Sequence, residues 1–225
     1  TKIMNYKIIR SKRKTLALQV NSDATLMVKI PYGVSMGYVR RFIEEKRTWI
    51  EKKQAQFSEQ KAKHKPKQYV NGEEFLFAGK SYLLEIVPGS TARIALTPEG
   101  KLRITEKCLD APKHYIEWFY KQFAKRHITA RTKEIAEVFG YKFASVKINS
   151  AKTRWGSCSM RGNLNFSWRL VIMPPGMIDY VIVHELVHLE IKDHSKRFYA
   201  RMSELMPDHR RREKWLKVNS GMTTI

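Results

Sequence analysis

Cysteine is scarce in this chain of 225 residues: Cys108 and Cys158 are the only two, far apart and in no CxxC pattern. That excludes a disulfide-stapled scaffold and a cysteine-rich zinc finger, and it fits a reducing, cytoplasmic setting. Long apolar runs are missing too. The nearest to one, residues 177–189, is interrupted by Asp179, His184, Glu185 and His188, so no membrane span is expected. No apolar segment follows the basic residues at the start, so no signal peptide is expected. Glycines sit singly in turns, at Gly72, Gly79, Gly89 and Gly100, and none belongs to a phosphate-cradling loop. Acidic residues are the minority charge, 21 against 43 basic, for a net charge of +22. Such an excess attracts polyanions: nucleic acid, nucleotides or acidic protein. The basic residues are spread along the chain rather than gathered in one block, which also describes a plain solubilising surface.

What is present supports a core. Hydrophobic residues make up 43% of the chain and aromatics 11%, so global disorder is not expected. The patterning predicts an α+β protein. Short alternating runs predict strands over 5–31, with a charged turn at 10–14. Ser35 is a fitting cap for a helix over 36–63, whose apolar stripe is Val39, Phe42, Ile43, Ile50 and Phe57. A basic linker follows at 61–67. Strands return at 74–78, 82–87, 92–96 and 102–105, separated by turn signals and read as a meander. This N-terminal β-rich domain is expected to span 1–107 and a second domain 108–225. In the second, Asp110 is expected to cap a long helix over 111–139, with Tyr115, Trp118, Phe119, Phe123, Ile128, Ile135 and Val138 inward and Gly140 ending it. A strand at 145–149, a hairpin-like segment around 152–159 and a half-buried strand at 164–170 follow.

Pro174-Pro175 breaks that strand and opens the helix carrying the chemistry, His184-Glu185-Leu186-Val187-His188. Residues i and i+4 of a helix lie one above the other, so His184 and His188 can offer two imidazoles to one metal ion. Glu185, beside the first, can reach a metal-bound water as general base. By average residue usage a chance HExxH in such a chain is roughly a one-in-a-hundred event or rarer, which favours a site over coincidence. A catalytic zinc takes three protein ligands and leaves one position open. His194 is a candidate third, six residues after His188, the metzincin spacing; the usual metzincin glycine is here Ile191, so the turn must come through Lys192-Asp193. Glu204 and Glu213 are the alternatives, and Ser195 a possible cap for the helix carrying Phe198. The chemistry expected is attack of a zinc-activated water on a carbonyl, with Glu185 moving the proton to the leaving nitrogen. Tyr199, Arg154 and Arg169 are candidate oxyanion donors. The edge of strand 164–170 is a candidate docking line for an extended peptide. Cys158 is either a packed thiol or a latch near the metal.

Several motifs occur in one order: Arg154-Trp155-Gly156-Ser157-Cys158-Ser159, Gly162-Asn163-Leu164, Trp168-Arg169-Leu170, Asp179-Tyr180-Val181, the HExxH, and His194-Ser195 with Phe198. Together they resemble the YgjP-like metallopeptidase family, related in zinc-site pattern to the SprT-like and WLM metalloproteases. The resemblance implies a zincin-like (minigluzincin) core, a small sheet with an active-site helix, Zn2+ as cofactor, His194 as third ligand, Glu185 as catalytic acid/base, and a peptide or protein substrate. SprT-like and WLM relatives cut DNA-bound proteins, with which the positive charge is compatible. Two other readings compete. One is a metal-dependent hydrolase of nucleoside triphosphates or other phosphoanhydrides, against which stand the missing phosphate loop and the imidazole-rich ligand set. The other is a basic nucleic-acid-associated protein with a structural zinc, which would want four protein ligands where only Cys158 lies near.

Overall fold

The computed structural model describes residues 6–21, 23–63 and 67–219. Residues 64–66 of the expected basic linker, and the polar tail from 220 on, lie outside the described residues. The chain divides into two compact units, Thr1–Pro66 and Lys67–Ile225. Among the described residues there are six α-helices and three small mixed sheets, an α+β arrangement. Among the described residues no helix is long and apolar enough to cross a membrane.

In the first unit, β1 (Tyr6–Ser11), β2 (Ala17–Val20) and β3 (Leu26–Pro31) form a sheet of order β1-β3-β2, with β1 parallel to β3 and β2 antiparallel to it. Alternation decides its faces: Leu26, Val28 and Ile30 are fully buried, and Val39, Ile43 and Ile50 cover them. Ser35 caps the first helix as expected, its hydroxyl accepting from the Tyr38 N–H at 3.3 Å. The single helix expected over 36–63 is instead two, α1 (Met36–Glu45) and α2 (Arg47–Lys63). At Lys46 the backbone leaves the helical region (φ −102°, ψ 9°), and its N–H is shared between the Phe42 and Ile43 carbonyls. Such three-centre bonds are how helices end. A bidentate Arg47–Glu44 pair spans the break.

The second unit opens with β4 (Glu74–Phe77), β5 (Lys80–Val87), β6 (Ile94–Leu96) and β7 (Lys101–Thr105), in the order β4-β5-β7-β6. This is not the expected meander. β5 and β7 run parallel, with β6 pushed to the edge, which leaves Leu84, Leu102 and Ile104 on one buried face. The expected domain break at 107/108 falls inside this unit. Phe75, Phe77, Ile104 and Cys108 share one core with Tyr120, Trp168 and Leu186, and a boundary cannot run through a common core.

A short 3-10 helix (Glu106–Asp110) leads into α3 (Pro112–Phe139). Asp110 is not its cap: Ala111 holds that position without a side-chain bond, and Asp110 pairs with Lys107 at 2.6 Å. Gly140 ends α3 in the left-handed region (φ 72°), as expected. The buried stripe is Ile116, Tyr120, Ala124, Ile128, Thr132 and Ile135, whereas Trp118 and Val138 are exposed. Next come β8 (Ser145–Asn149), β9 (Gly156–Cys158) and β10 (Asn163–Ser167), in the order β8-β10-β9. The expected strand 164–170 therefore stops at Ser167, whose hydroxyl caps a second 3-10 helix, Trp168–Ile172. It is also the middle strand, so the edges of this sheet belong to β8 and β9. α4 (Pro175–Glu190), α5 (Lys196–Leu205) and α6 (His209–Asn219) complete the unit.

Candidate metal centre

The N-terminus of α4 is fixed before the helix begins. Ala78 and Gly79 donate backbone N–H bonds to Val171 and Ile172, at 2.7 and 3.0 Å. Gly79 has φ +74°, and a Cβ there would stand 2.8 Å from the Pro174 ring, so only glycine fits this turn. α4 is apolar on most of its circumference: Ile178, Val181, Ile182, Val183, Leu186 and Val187 are all nearly fully buried. Arg131 on α3 grips Asp179 with two bonds, 2.8 and 3.0 Å long. The helix bearing the histidines is thus held from two sides, as a precise ligand set requires.

Tyr180, His184 and His188 follow at i, i+4 and i+8 on one stripe of α4. The helix stops at Ile191 (φ −124°, ψ 108°). Asp193 then makes the turn, its carboxylate accepting the Ser195 N–H at 3.3 Å. That turn carries His194 back over the stripe. Its Nε2 lies 3.0 Å from that of His184 and 3.2 Å from that of His188. Below them is Phe198, fully buried, its ring centre 4.6–4.9 Å from each imidazole. The three ring nitrogens could hold one metal ion. His188 Nδ1 is 2.9 Å from the Ile191 carbonyl, which can only accept, so the proton sits on Nδ1 and Nε2 keeps its lone pair toward the cluster. Burial, and then the neighbouring His188 and His194, pushes His184 down to about 3, so it is neutral at ordinary pH. Burial lowers His188 in the same sense.

Glu204 and Glu213 are not in the cluster. Glu204 pairs with Arg201 at 2.8 Å, and Glu213 pairs with Lys217. Glu185 is 5% exposed, and its Oε2 has no hydrogen-bond partner. Burial pushes its carboxyl up to about 8, against the pull of the Arg154 guanidinium. β9 comes so near that a Cβ on Gly156 would sit 2.5 Å from Glu185 Oε1. Of the expected polar donors, Arg169 is committed elsewhere: it stacks on Trp168 at 4.4 Å and bonds the Ser150 carbonyl at 2.9 Å. Tyr199 lies beside His194, ring centres 6.3 Å apart, and against His209. The Cys158 thiol is half-buried, bonds the Ser159 carbonyl at 3.4 Å and is raised by burial.

Three residues of the ordered motifs have roles that the sequence did not assign. Tyr180 shares the histidine stripe one turn earlier, which its i−4 spacing could have flagged. Gly156 is a glycine inside a strand, a known mark of close backbone approach. Phe198 lies beneath all three rings, a role that neither its α5 periodicity nor its place in the His194-Ser195 motif specifies.

A family model described as "YgjP-like, metallopeptidase domain" matches residues 14–219. No curated protein matches the chain. Among solved structures, the metallopeptidase zymogen of Pyrococcus abyssi abylysin is similar, at 18% identity over 40% of this chain and 92% of that one. The TM-score is 0.36.

Proposed function

The chain belongs to the YgjP-like metallopeptidase family, and from that premise we propose that it is a zinc peptidase with His184, His188 and His194 as metal ligands and Glu185 as general base and acid. The observation that carries the proposal is the convergence of three imidazole nitrogens next in sequence to a buried carboxyl whose Oε2 has no hydrogen-bond partner. Zinc–nitrogen bonds of about 2.0–2.1 Å in tetrahedral array hold ligand nitrogens ~3.3 Å apart. The separations of 3.0 and 3.2 Å fit that requirement. Imidazole donors suit zinc better than magnesium or calcium, which prefer oxygen. The bond from His188 Nδ1 to Ile191 is the outer-shell contact that orients such a ligand. In this reading β8, β9, β10 and α4 are the small sheet and active-site helix of a minigluzincin-like core.

Zinc, when bound, supplies Lewis acidity and lowers the pKa of a water molecule to about 7. The remaining work falls to the chain. Glu185 takes a proton from the attacking water and hands it to the leaving amide nitrogen. A carboxyl near neutrality can both accept and donate, and burial sets it there. The edge strand β9 lines up the substrate. In its antiparallel pairing Trp155 and Ser159 bond to β10. By alternation, the N–H and C=O groups of Gly156 and Cys158 then face outward. An extended peptide can add to them as a further strand alongside Glu185.

Glu185→Gln tests the reading. The variant is expected to keep one zinc per chain by elemental analysis and to lose peptide cleavage by a factor of order 10^2–10^4. Retained cleavage would refute it. Intact peptides together with phosphate or pyrophosphate released from nucleotides would transfer the site to phosphoanhydride chemistry.

A further inference from the structure

A cavity of about 420 Å³ adjoins His184 and Glu185 on the side away from the histidine turn, between α4, the Trp155–Gly156 backbone and α6. Its walls are Trp155, Tyr180, Val181 and Leu216. Besides His184 and Glu185, two ionisable residues reach it, Glu213 and Lys217, and they pair with each other. Resting on the peptidase reading above, we propose that this cavity is the side-chain pocket that selects the substrate, that it takes a large apolar residue of the leucine, methionine or phenylalanine class next to the cut bond, and that Leu216 sets its depth.

The chemistry of the walls argues for apolar cargo. An acidic side chain would enter beside the carboxylates of Glu185 and Glu213. A basic one would meet Lys217, which already occupies the Glu213 carboxylate, and would leave water for a wall of two aromatics and two aliphatics. An apolar side chain has no such cost and gains from leaving water. The pocket is within the size range of ligand-binding cavities, roughly 300–1,000 Å³, so it has room for a phenylalanine.

The wall supplied by α6 is built in. Arg212 on α6 donates to both Asp208 oxygens, at 3.0 and 2.9 Å, and to the carbonyl of Gly176 in the first turn of α4. A Cβ on Gly176 would lie 2.7 Å from Arg212 Nη1, so the glycine admits the guanidinium. Arg212 therefore acts as a positioning residue: it holds α6, and with it Leu216, over the cavity.

The test uses the zinc-loaded protein and a peptide set sharing one backbone and differing at a single residue, with cut sites read by mass spectrometry. Wild type is expected to prefer Leu, Met or Phe over Ala on one fixed side of the bond by on the order of 100-fold in kcat/KM, and to reject Asp and Lys. Leu216→Trp should shift the preference to smaller residues. Arg212→Met should flatten it while zinc content stays unchanged. Cleavage without a fixed preference, or a preference untouched in both variants, would overturn the pocket and leave the peptidase reading standing. A second readout needs no turnover: in the metal-free protein the Val181 and Leu216 methyl NMR signals should move with N-acetyl-phenylalanine amide and not with N-acetyl-aspartate amide. If no peptide is cut, the peptidase reading fails by itself, and equal response to the two amides would refute the apolar pocket as well.

Discussion

Replacing Glu185 by glutamine should change how the stability of the metal-free protein depends on pH, and the structure gives the window. The carboxyl is ordinarily near 4.5 and stands at about 8 in the fold, because burial disfavours its charge. A folded pKa above the unfolded one means the folded state holds the proton longer. The resulting stability is complete below 4.5 and is lost as pH rises through 8. His184 acts with the opposite sign: it falls from 6.5 to about 3, so its contribution is complete above 6.5 and is lost on acidification. Between 4.5 and 6.5 the two slopes oppose each other. Between 6.5 and 8 only the carboxyl slope survives. One pH unit is worth about 1.36 kcal/mol per proton, so wild type should lose about 2 kcal/mol across that window. Glu185→Gln should be flat there. The assay is urea unfolding of chelator-stripped protein at pH 6.5, 7.25 and 8, with each protein compared only with itself. An equal fall in both proteins would refute the argument, since the proton would then belong to another group. A flat wild type would show the carboxylate to be solvated in the metal-free fold.

Gly156→Ala should keep one zinc per chain yet lower kcat/KM by about 10^2-fold, because a methyl 2.5 Å from Oε1 must displace the carboxylate; unchanged kinetics would mean that β9 yields freely. The Arg131–Asp179 pair ties α3 to α4, and a double-mutant cycle with Arg131→Met and Asp179→Asn should give a coupling of about 1 kcal/mol in urea unfolding, modest because the arginine is 40% exposed. Gly79→Ala combines a left-handed backbone with a collision against Pro174 and should cost about 2–3 kcal/mol, measured the same way. Stripping the metal should lower the melting temperature of wild type, and zinc should restore it; His194→Ala should show neither effect if His194 is a ligand.

Much of the fold was legible because its signals are local. Ser35 caps a helix, Gly140 ends one, and Pro175 opens one, each through the backbone chemistry of a single residue. What was misread depends on partners distant in sequence. On α3 the expected inward set includes Trp118 and Val138, which are exposed, while the buried stripe runs through Ala124 and Thr132. A long helix against a sheet and another helix buries small residues wherever backbones come close, and side-chain size alone does not identify that face. The order β4-β5-β7-β6 is equally invisible locally, because turn signals mark where strands end and not which strand lies beside which.

At the metal centre the divide is the same. Two candidate ligands follow from helical period alone, but spacing leaves His194, Glu204 and Glu213 open as the third. What separates them is the path after Ile191: the Asp193 turn swings His194 over the stripe, while Glu204 and Glu213 sit on later helices where Arg201 and Lys217 engage them. The carboxylate shows why a motif is not yet a mechanism. HExxH places Glu185 beside a ligand but says nothing about its solvent. The burial comes from Gly156, some thirty residues earlier, whose missing side chain lets β9 close over the carboxyl. Gly156 belongs to an edge strand, so in the proposed mechanism one glycine couples the proton affinity of Glu185 to the edge on which a peptide would lie.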